Sequence, residues 1–188
     1  FAARQIRNRA TLGGNLVTAS PIGDSAPVLL TLDASVVLTT AKSERTVPLA
    51  DFFLAYRKTV LKHGEIMREI VLPRGGPTRG LTRRVDFLKV SKRRELDISI
   101  VAAAFCVDLA EDGTVRKARI AYGGVAAMPM RALKAEAALV GKKLTEPTVA
   151  HILHDTYKPI DDARGGAEYR RGLVVSLWEK FVSGEQSQ

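Results

Sequence analysis

The chain has 188 residues, 46% hydrophobic and 26% charged, with a net charge of +9. This is the make-up of a folded globular protein with room for one ordinary domain or two small ones, and it excludes a disordered chain. No apolar run is long enough to span a bilayer and no charged-then-apolar leader opens the chain, so no membrane association is expected.

The chain starts on Phe1 rather than Met, as a processed chain or a piece of a longer protein would. Residues 10–34, "ATLGGNLVTASPIGDSAPVLLTLDA", set Gly13 and Gly14 side by side among Thr11, Asn15, Thr18, Ser20 and Asp24, then run into an apolar segment. "ASVVLTT" (34–40) is β-branched and predicts a strand, with "ERTVPL" as its partner. "LADFFLAY" (49–56) predicts a short helix presenting Phe52, Phe53 and Tyr56. "EIMREIVLP" (65–73) predicts another strand, and "PRGGPTRG" (73–80), with two prolines and three glycines, predicts a linker. That divides the chain into 1–74 and 82–188.

Beyond the linker, "TRRVDFLKVS" (82–91) predicts a strand with Val85 and Phe87 facing one way. Residues 98–124 predict two long strands turning at Glu111-Asp112-Gly113, with Ala103, Phe105, Val107 and Leu109 alternating in the first. Three helices follow, over 129–141, 145–157 and 167–182, the last with Leu173, Leu177 and Phe181 in one stripe. The tail "SGEQSQ" is expected to fray. Strands followed by helices, without βαβ alternation, make an α+β fold.

Cys106 is the single cysteine. An internal disulfide is therefore excluded, as is a cysteine-held iron–sulfur or zinc site within the chain. In the apolar run "VAAAFCVDL" it reads as a small buried hydrophobe rather than a nucleophile, and such sparse usage fits a reducing, cytoplasmic setting. The basic residues fall in scattered clusters, only 6% of residues are aromatic, and zinc-finger and RNP patterns are missing, which argues against nucleic acid as a partner. The positive field suits an anionic cofactor, a nucleotide or an acidic partner subunit instead.

P-loop, Rossmann and nucleophile-elbow motifs are all missing. His151 and His154 share a helix face with no third ligand in view, as ordinary surface histidines do. The stretch 10–34 remains. Adjacent glycines can adopt positive φ and let successive N–H groups converge on an anion, with Thr11 and Asn15 flanking them. Asp24 would repel phosphate but can accept from hydroxyls or a ring N–H. A dinucleotide would use all three features; a tight turn with capping residues would use them too.

"FAARQIRNRATLGGNLVTASPIGDSAPVLLTLDA" resembles the FAD-binding segment of the xanthine dehydrogenases and related molybdenum hydroxylases. So do "FFLAYRKTVLKHGEIMREIVLP", "FLKVSKRRELDISIVAAAF", "IAYGGVAAMPMRA" and "EYRR", so the resemblance covers essentially the whole chain. It implies the second subdomain of a PCMH-type FAD-binding domain, followed by a flavoprotein C-terminal domain whose antiparallel sheet packs on three helices. It also implies site residues. Phe1 would lie beside the flavin ring, while Thr11, Leu12, Gly13, Gly14 and Asn15 would contact the pyrophosphate and its surroundings. Thr18 and Asp24 would lie near the flavin or ribityl chain, Met67 against the ring face, and Lys89 close enough to stabilise charge on the reduced ring.

Three departures from the family pattern stand out. The earlier glycine-containing loop that completes the pyrophosphate cradle is not in this sequence, so these residues alone are expected to bind FAD weakly. Leu96 replaces a residue often acidic in eukaryotic relatives, in a loop that influences acceptor access. Gly165 and Gly166 stand where relatives tend to carry a small residue and a serine.

The function the resemblance implies is electron transfer within a xanthine dehydrogenase. Electrons would pass from molybdenum through iron–sulfur clusters to FAD, and on to NAD. The partners would be an iron–sulfur domain and a molybdopterin-binding large subunit in an oligomer. Two other readings are a flavoprotein serving another hydroxylase (of carbon monoxide, nicotinate, an aldehyde or an aromatic acyl-CoA) and a non-catalytic assembly module.

Overall fold

The computed structural model describes residues 2–93 and 97–184. Phe1, Leu96 and the last four residues of the tail lie outside them, so the expectations placed on those residues have no structural counterpart here. Two short helices, α1 (Arg4–Arg7) and α2 (Leu12–Val17), precede α3 (Ser25–Thr31). β1 (Ser35–Thr39) then runs antiparallel to β2 (Glu44–Pro48) on one side and to β5 (Ile66–Val71) on the other. Val36 and Leu38 of this central strand are fully buried and pack with Leu16, Leu49 and Phe52. Each such side chain taken out of water contributes about 1.5–3 kcal/mol.

Residues 49–56 are not a helix. A single 3-10 turn (Leu49–Asp51) leads into a hairpin of β3 (Phe53–Ala55) and β4 (Lys58–Thr59). Eight residues without a capping side chain make a poor isolated helix, and tertiary packing decides instead. Phe52 and Phe53 are both buried with rings edge to face at 5.2 Å, and the Val60 N–H donates to the Phe52 carbonyl at 3.0 Å. Arg57 turns the hairpin at φ +52°, a conformation that glycine or asparagine usually supplies. The local sequence carries no such signal.

The second half is a four-stranded antiparallel sheet in the order β6 (Leu81–Val90), β7 (Val101–Ala110), β8 (Val115–Gly123), β9 (Met130–Arg131). α4 (Leu133–Leu139), α5 (Thr148–Thr156) and α6 (Ala167–Ser183) cover one face, the arrangement expected of this α+β fold. The first of these helices starts later than its sequence pattern predicts, because Met130 and Arg131 are drawn into the sheet opposite Tyr122 and Ala121. Phe105 anchors the core, stacked on Phe181 at 4.6 Å and edge-on to Tyr122 at 5.8 Å. The buried Tyr122 hydroxyl donates to the Val174 carbonyl at 2.9 Å.

The sheet's other face receives α3, and here the two halves interlock. Ala121 of β8 belongs to the core of the first half. Both ends of α3 are pinned by carboxylates to the second half. Asp24, at its start, pairs with Lys89 of β6 at 2.8 Å. Asp33, just past its end at φ +53°, pairs with Lys117 (3.1 Å) and Arg119 (2.5 Å) of β8 and with Arg131 (3.1 Å) of β9. Burial pushes the Asp33 carboxyl up, but hydrogen bonds from Lys117 and Arg119 outweigh it and hold the group below the usual carboxylate range.

Candidate functional site

The glycine pair opens a helix. Thr11, in extended conformation (φ −114°, ψ 148°), is the N-cap of α2, and its Oγ1 accepts from the Gly14 N–H at 3.0 Å. Gly13 and Gly14 are therefore helical, and the positive-φ nest that adjacent glycines could form is not what they build. Their roles differ. A Cβ on Gly14 would stand 2.8 Å from Thr11 Oγ1 and disturb the cap, so the cap itself asks for glycine. A Cβ on Gly13 would meet only Met67 Sδ, at an ordinary 3.7 Å. Nothing among the described residues demands glycine there; its bare Cα leaves open the groove beside Met67.

α2 separates two cavities. One, of about 580 Å³, is lined by Arg7, Thr11, Leu12, Asn15, Asp24 and Phe87 among others. The second, of about 530 Å³, is lined by Gly13, Gly14, Val17 and Met67 along with Thr11, which borders both. Asp24 is buried, held by Lys89 Nζ at 2.8 Å and by the Ser99 hydroxyl, which donates to its other oxygen. Lys89 also donates to the Asp97 carbonyl at 3.0 Å. Asn15 accepts from the Ser25 hydroxyl through its side-chain oxygen, leaving its amide N–H groups for other partners.

The structure thus brings Thr11, Leu12, Asn15 and Asp24 to one cavity and Thr11, Gly13, Gly14 and Met67 to the other. Lys89 reaches the first through Asp24. Thr18 stands apart: its hydroxyl donates to the Gly14 carbonyl at 2.8 Å at the end of α2, and it lines neither cavity. Sequence reasoning missed Arg7, Phe87 and Ser99 as members of the site. Phe87 was within reach, since strand alternation puts it on the same face as Lys89; Ser99 carried no signal.

A third cavity, of about 510 Å³, lies where the halves meet and is lined by Pro21, Tyr56, Arg57, Lys158, Arg164 and Arg170 among others. The turn 20–24 stands between it and the first cavity, with Ser20, Pro21 and Ile22 lining one and Asp24 the other.

These residues fit a flavin dinucleotide. A cavity walled by Leu12, Val28, Leu29 and Phe87 suits a planar heterocycle, and the anchored Asp24 carboxylate offers an acceptor to a ring N–H or hydroxyl. At the start of α2, no acceptor among the described residues meets the N–H groups of Leu12 or Gly13, where helix partial charge favours an anion. The other titratable groups singled out by sequence lie elsewhere. His154 sits between Asp155 (2.9 Å) and Glu168 (3.7 Å). Cys106 is buried against Arg119, and burial pushes its thiol up, so it stays protonated. No helix among the described residues is long and apolar enough to cross a membrane.

Residues 1–75 match the FAD binding domain in molybdopterin dehydrogenase, and residues 86–184 match the CO dehydrogenase flavoprotein C-terminal domain. The nicotinate hydroxylase of Emericella nidulans is 40% identical over 96% of this chain, and a xanthine dehydrogenase of Blastobotrys adeninivorans is 36% identical over 97%. The chain spans only 14% of the length of either relative. Among solved structures, a carbon monoxide dehydrogenase from Hydrogenophaga pseudoflava, lacking the Mo-pyranopterin moiety, superposes with a TM-score of 0.86 at 32% identity. That match takes in 96% of this chain and 62% of the other.

Proposed function

Because the chain belongs to the FAD-binding flavoprotein family of the molybdenum hydroxylases, we propose that it carries electrons within an enzyme that oxidises hypoxanthine or xanthine and delivers them to NAD. The observation that carries the flavin role is the pair of cavities meeting at Thr11, one largely apolar with a buried carboxylate, the other opened by the bare Cα of Gly13. When bound, FAD supplies the redox chemistry, taking up electrons and releasing them as a hydride equivalent.

The chain's own residues bind and orient the flavin. Thr11 holds the first turn of α2 so that its free N–H groups stay in place. Met67 gives the second groove an apolar wall. The Asp24–Lys89 pair is fixed by Ser99 and the Asp97 carbonyl, so it presents a rigid polar edge rather than a mobile charge. Phe1 and Thr18 belong to the proposed site by family resemblance alone.

The third cavity supports NAD as acceptor. Arg57, Lys158 and Arg164 make it cationic, as a pyrophosphate would require, and only the turn 20–24 divides it from the flavin cavity. An iron–sulfur domain and a molybdopterin-binding large subunit, assembled with this chain in an oligomer, complete the proposed electron path in the cytoplasm.

A second reading makes nicotinate the substrate, favoured by the 40% identity to the Emericella nicotinate hydroxylase. Purifying the complete complex and recording its visible spectrum tests the flavin role: absence of oxidised-flavin bands leaves only an assembly module. Parallel assays with hypoxanthine and nicotinate then decide the substrate. Reduction of the flavin by nicotinate alone would refute the purine reading.

A further inference from the structure

Arg170 lies in α6, at the back of the third cavity, and is 3% exposed. Its guanidinium grips three chain segments at once. Nη1 donates to the Gly124 carbonyl at 2.6 Å and the Ile100 carbonyl at 3.3 Å. Nη2 donates to Asp162 Oδ1 at 2.6 Å, and Nε to the Gly165 carbonyl at 3.4 Å. A planar fork with five donors meets such a spread of acceptors, whereas a lysine ammonium does not.

Two of these grip points hold up the wall between the flavin cavity and the third cavity. The Gly124 N–H donates to the Pro21 carbonyl at 2.7 Å. Ser99, next to Ile100, donates its hydroxyl to Asp24. The turn 20–24 is thus tied at both ends to residues at or beside those that Arg170 clamps. Space there is tight. Gly124 sits at φ +83°, where a Cβ would collide with the Ile100 carbonyl, and a Cβ on Gly123 would stand 3.1 Å from the Pro21 carbonyl. A shift of Ile100 or Gly124 is therefore passed on to the turn instead of being absorbed.

We infer that Arg170 is a positioning residue that fixes the 20–24 turn and so sets the third cavity in register with the flavin cavity. It acts through Gly124, Ile100 and Ser99. For the acceptor, this rests on the reading of the third cavity given above; for the placement of Asp24 it does not.

The test uses the complete flavin-containing complex with Arg170→Lys and Arg170→Gln, and with Arg171→Gln as a control at the neighbouring position. In Arg170→Lys the visible circular dichroism of bound flavin changes, because Asp24 moves. The KM for NAD rises at least tenfold, and reoxidation by NAD slows at least tenfold more than reoxidation by ferricyanide. Arg171→Gln alters none of these. Flavin circular dichroism and NAD KM both at wild-type values in Arg170→Lys overturn the inference. So does loss of flavin, NAD and ferricyanide reactivity in step with a lowered melting temperature, which marks a merely structural residue. If Arg170→Gln does not fold, the lysine variant decides. If NAD fails to reoxidise the wild-type complex, the acceptor reading falls, and the flavin circular dichroism of Arg170→Lys alone decides for or against Arg170.

Discussion

Replacing Gly13 by alanine should stabilise the protein and weaken its hold on FAD, two effects of opposite sign from one methyl group. Gly13 is helical, and its added Cβ would meet Met67 Sδ at 3.7 Å, an ordinary contact without strain. Glycine to alanine in a helix is then worth roughly 0.5–1 kcal/mol, a rise in melting temperature of about 1–4 °C for a chain of this size. The same methyl projects into the groove of about 530 Å³ beside Met67. If the dinucleotide lies there, overpacking by about 1–3 kcal/mol weakens it roughly 5- to 150-fold. Urea denaturation of the chain reads the first effect, and flavin release from the complex reads the second. Gly14→Ala is the internal contrast: its methyl would stand 2.8 Å from Thr11 Oγ1, and loss of the cap, about 1 kcal/mol, cancels the helical gain. A stabilised Gly13→Ala complex that keeps its flavin as tightly as wild type would refute the placement of the ligand. A destabilised one would refute the geometry of α2.

Lys89→Met should make the FAD/FADH₂ potential more negative; an unchanged potential would leave Lys89 as no more than the partner of Asp24. The same variant strands the Asp24 carboxylate and should cost about 3 kcal/mol of stability, much of it regained in Asp24→Asn/Lys89→Met, as denaturation of the three variants would show. Hydrogen bonds from Arg45 hold the Glu65 carboxyl at about 2, below its ordinary 4.5. Its folded-state pKa is depressed, so its contribution is complete above about pH 4.5 and is lost as the pH falls towards 2; melting curves of Glu65→Gln should be flatter than wild type across that window. Tyr122→Phe removes the buried bond to the Val174 carbonyl and should cost about 1 kcal/mol in urea denaturation without altering flavin content. FAD titrated into the 188-residue chain should bind more weakly than micromolar, and tighter binding would mean that α2 and its two cavities suffice as a cradle.

Much of this protein was legible along the chain wherever the deciding forces are local. The β7–β8 hairpin announced itself through alternation and Glu111-Asp112-Gly113, because pleat and turn depend on neighbouring residues only. The last two helices were visible from their apolar spacing, and the polar, glycine-rich run 10–34 pointed to a candidate site before any fold was known. What that run would build was another matter. Gly13 and Gly14 looked equally apt for a positive-φ nest and for a capped turn, and the helix that starts behind the extended Thr11 decided for the cap. Residues 49–56 had the spacing of a helix and became a turn and a hairpin, since burying Phe52 and Phe53 together outweighs the weak preference of eight residues. The Asp24–Lys89 pair joins residues 65 apart in the chain, and Arg170 reaches back 70 residues to Ile100. Such contacts leave no periodic trace, because the partner of a buried charge is chosen by where the sheet and helices come to rest. Only the tertiary structure, by laying α3 across the back of the second sheet, could bring those charges within reach of one another.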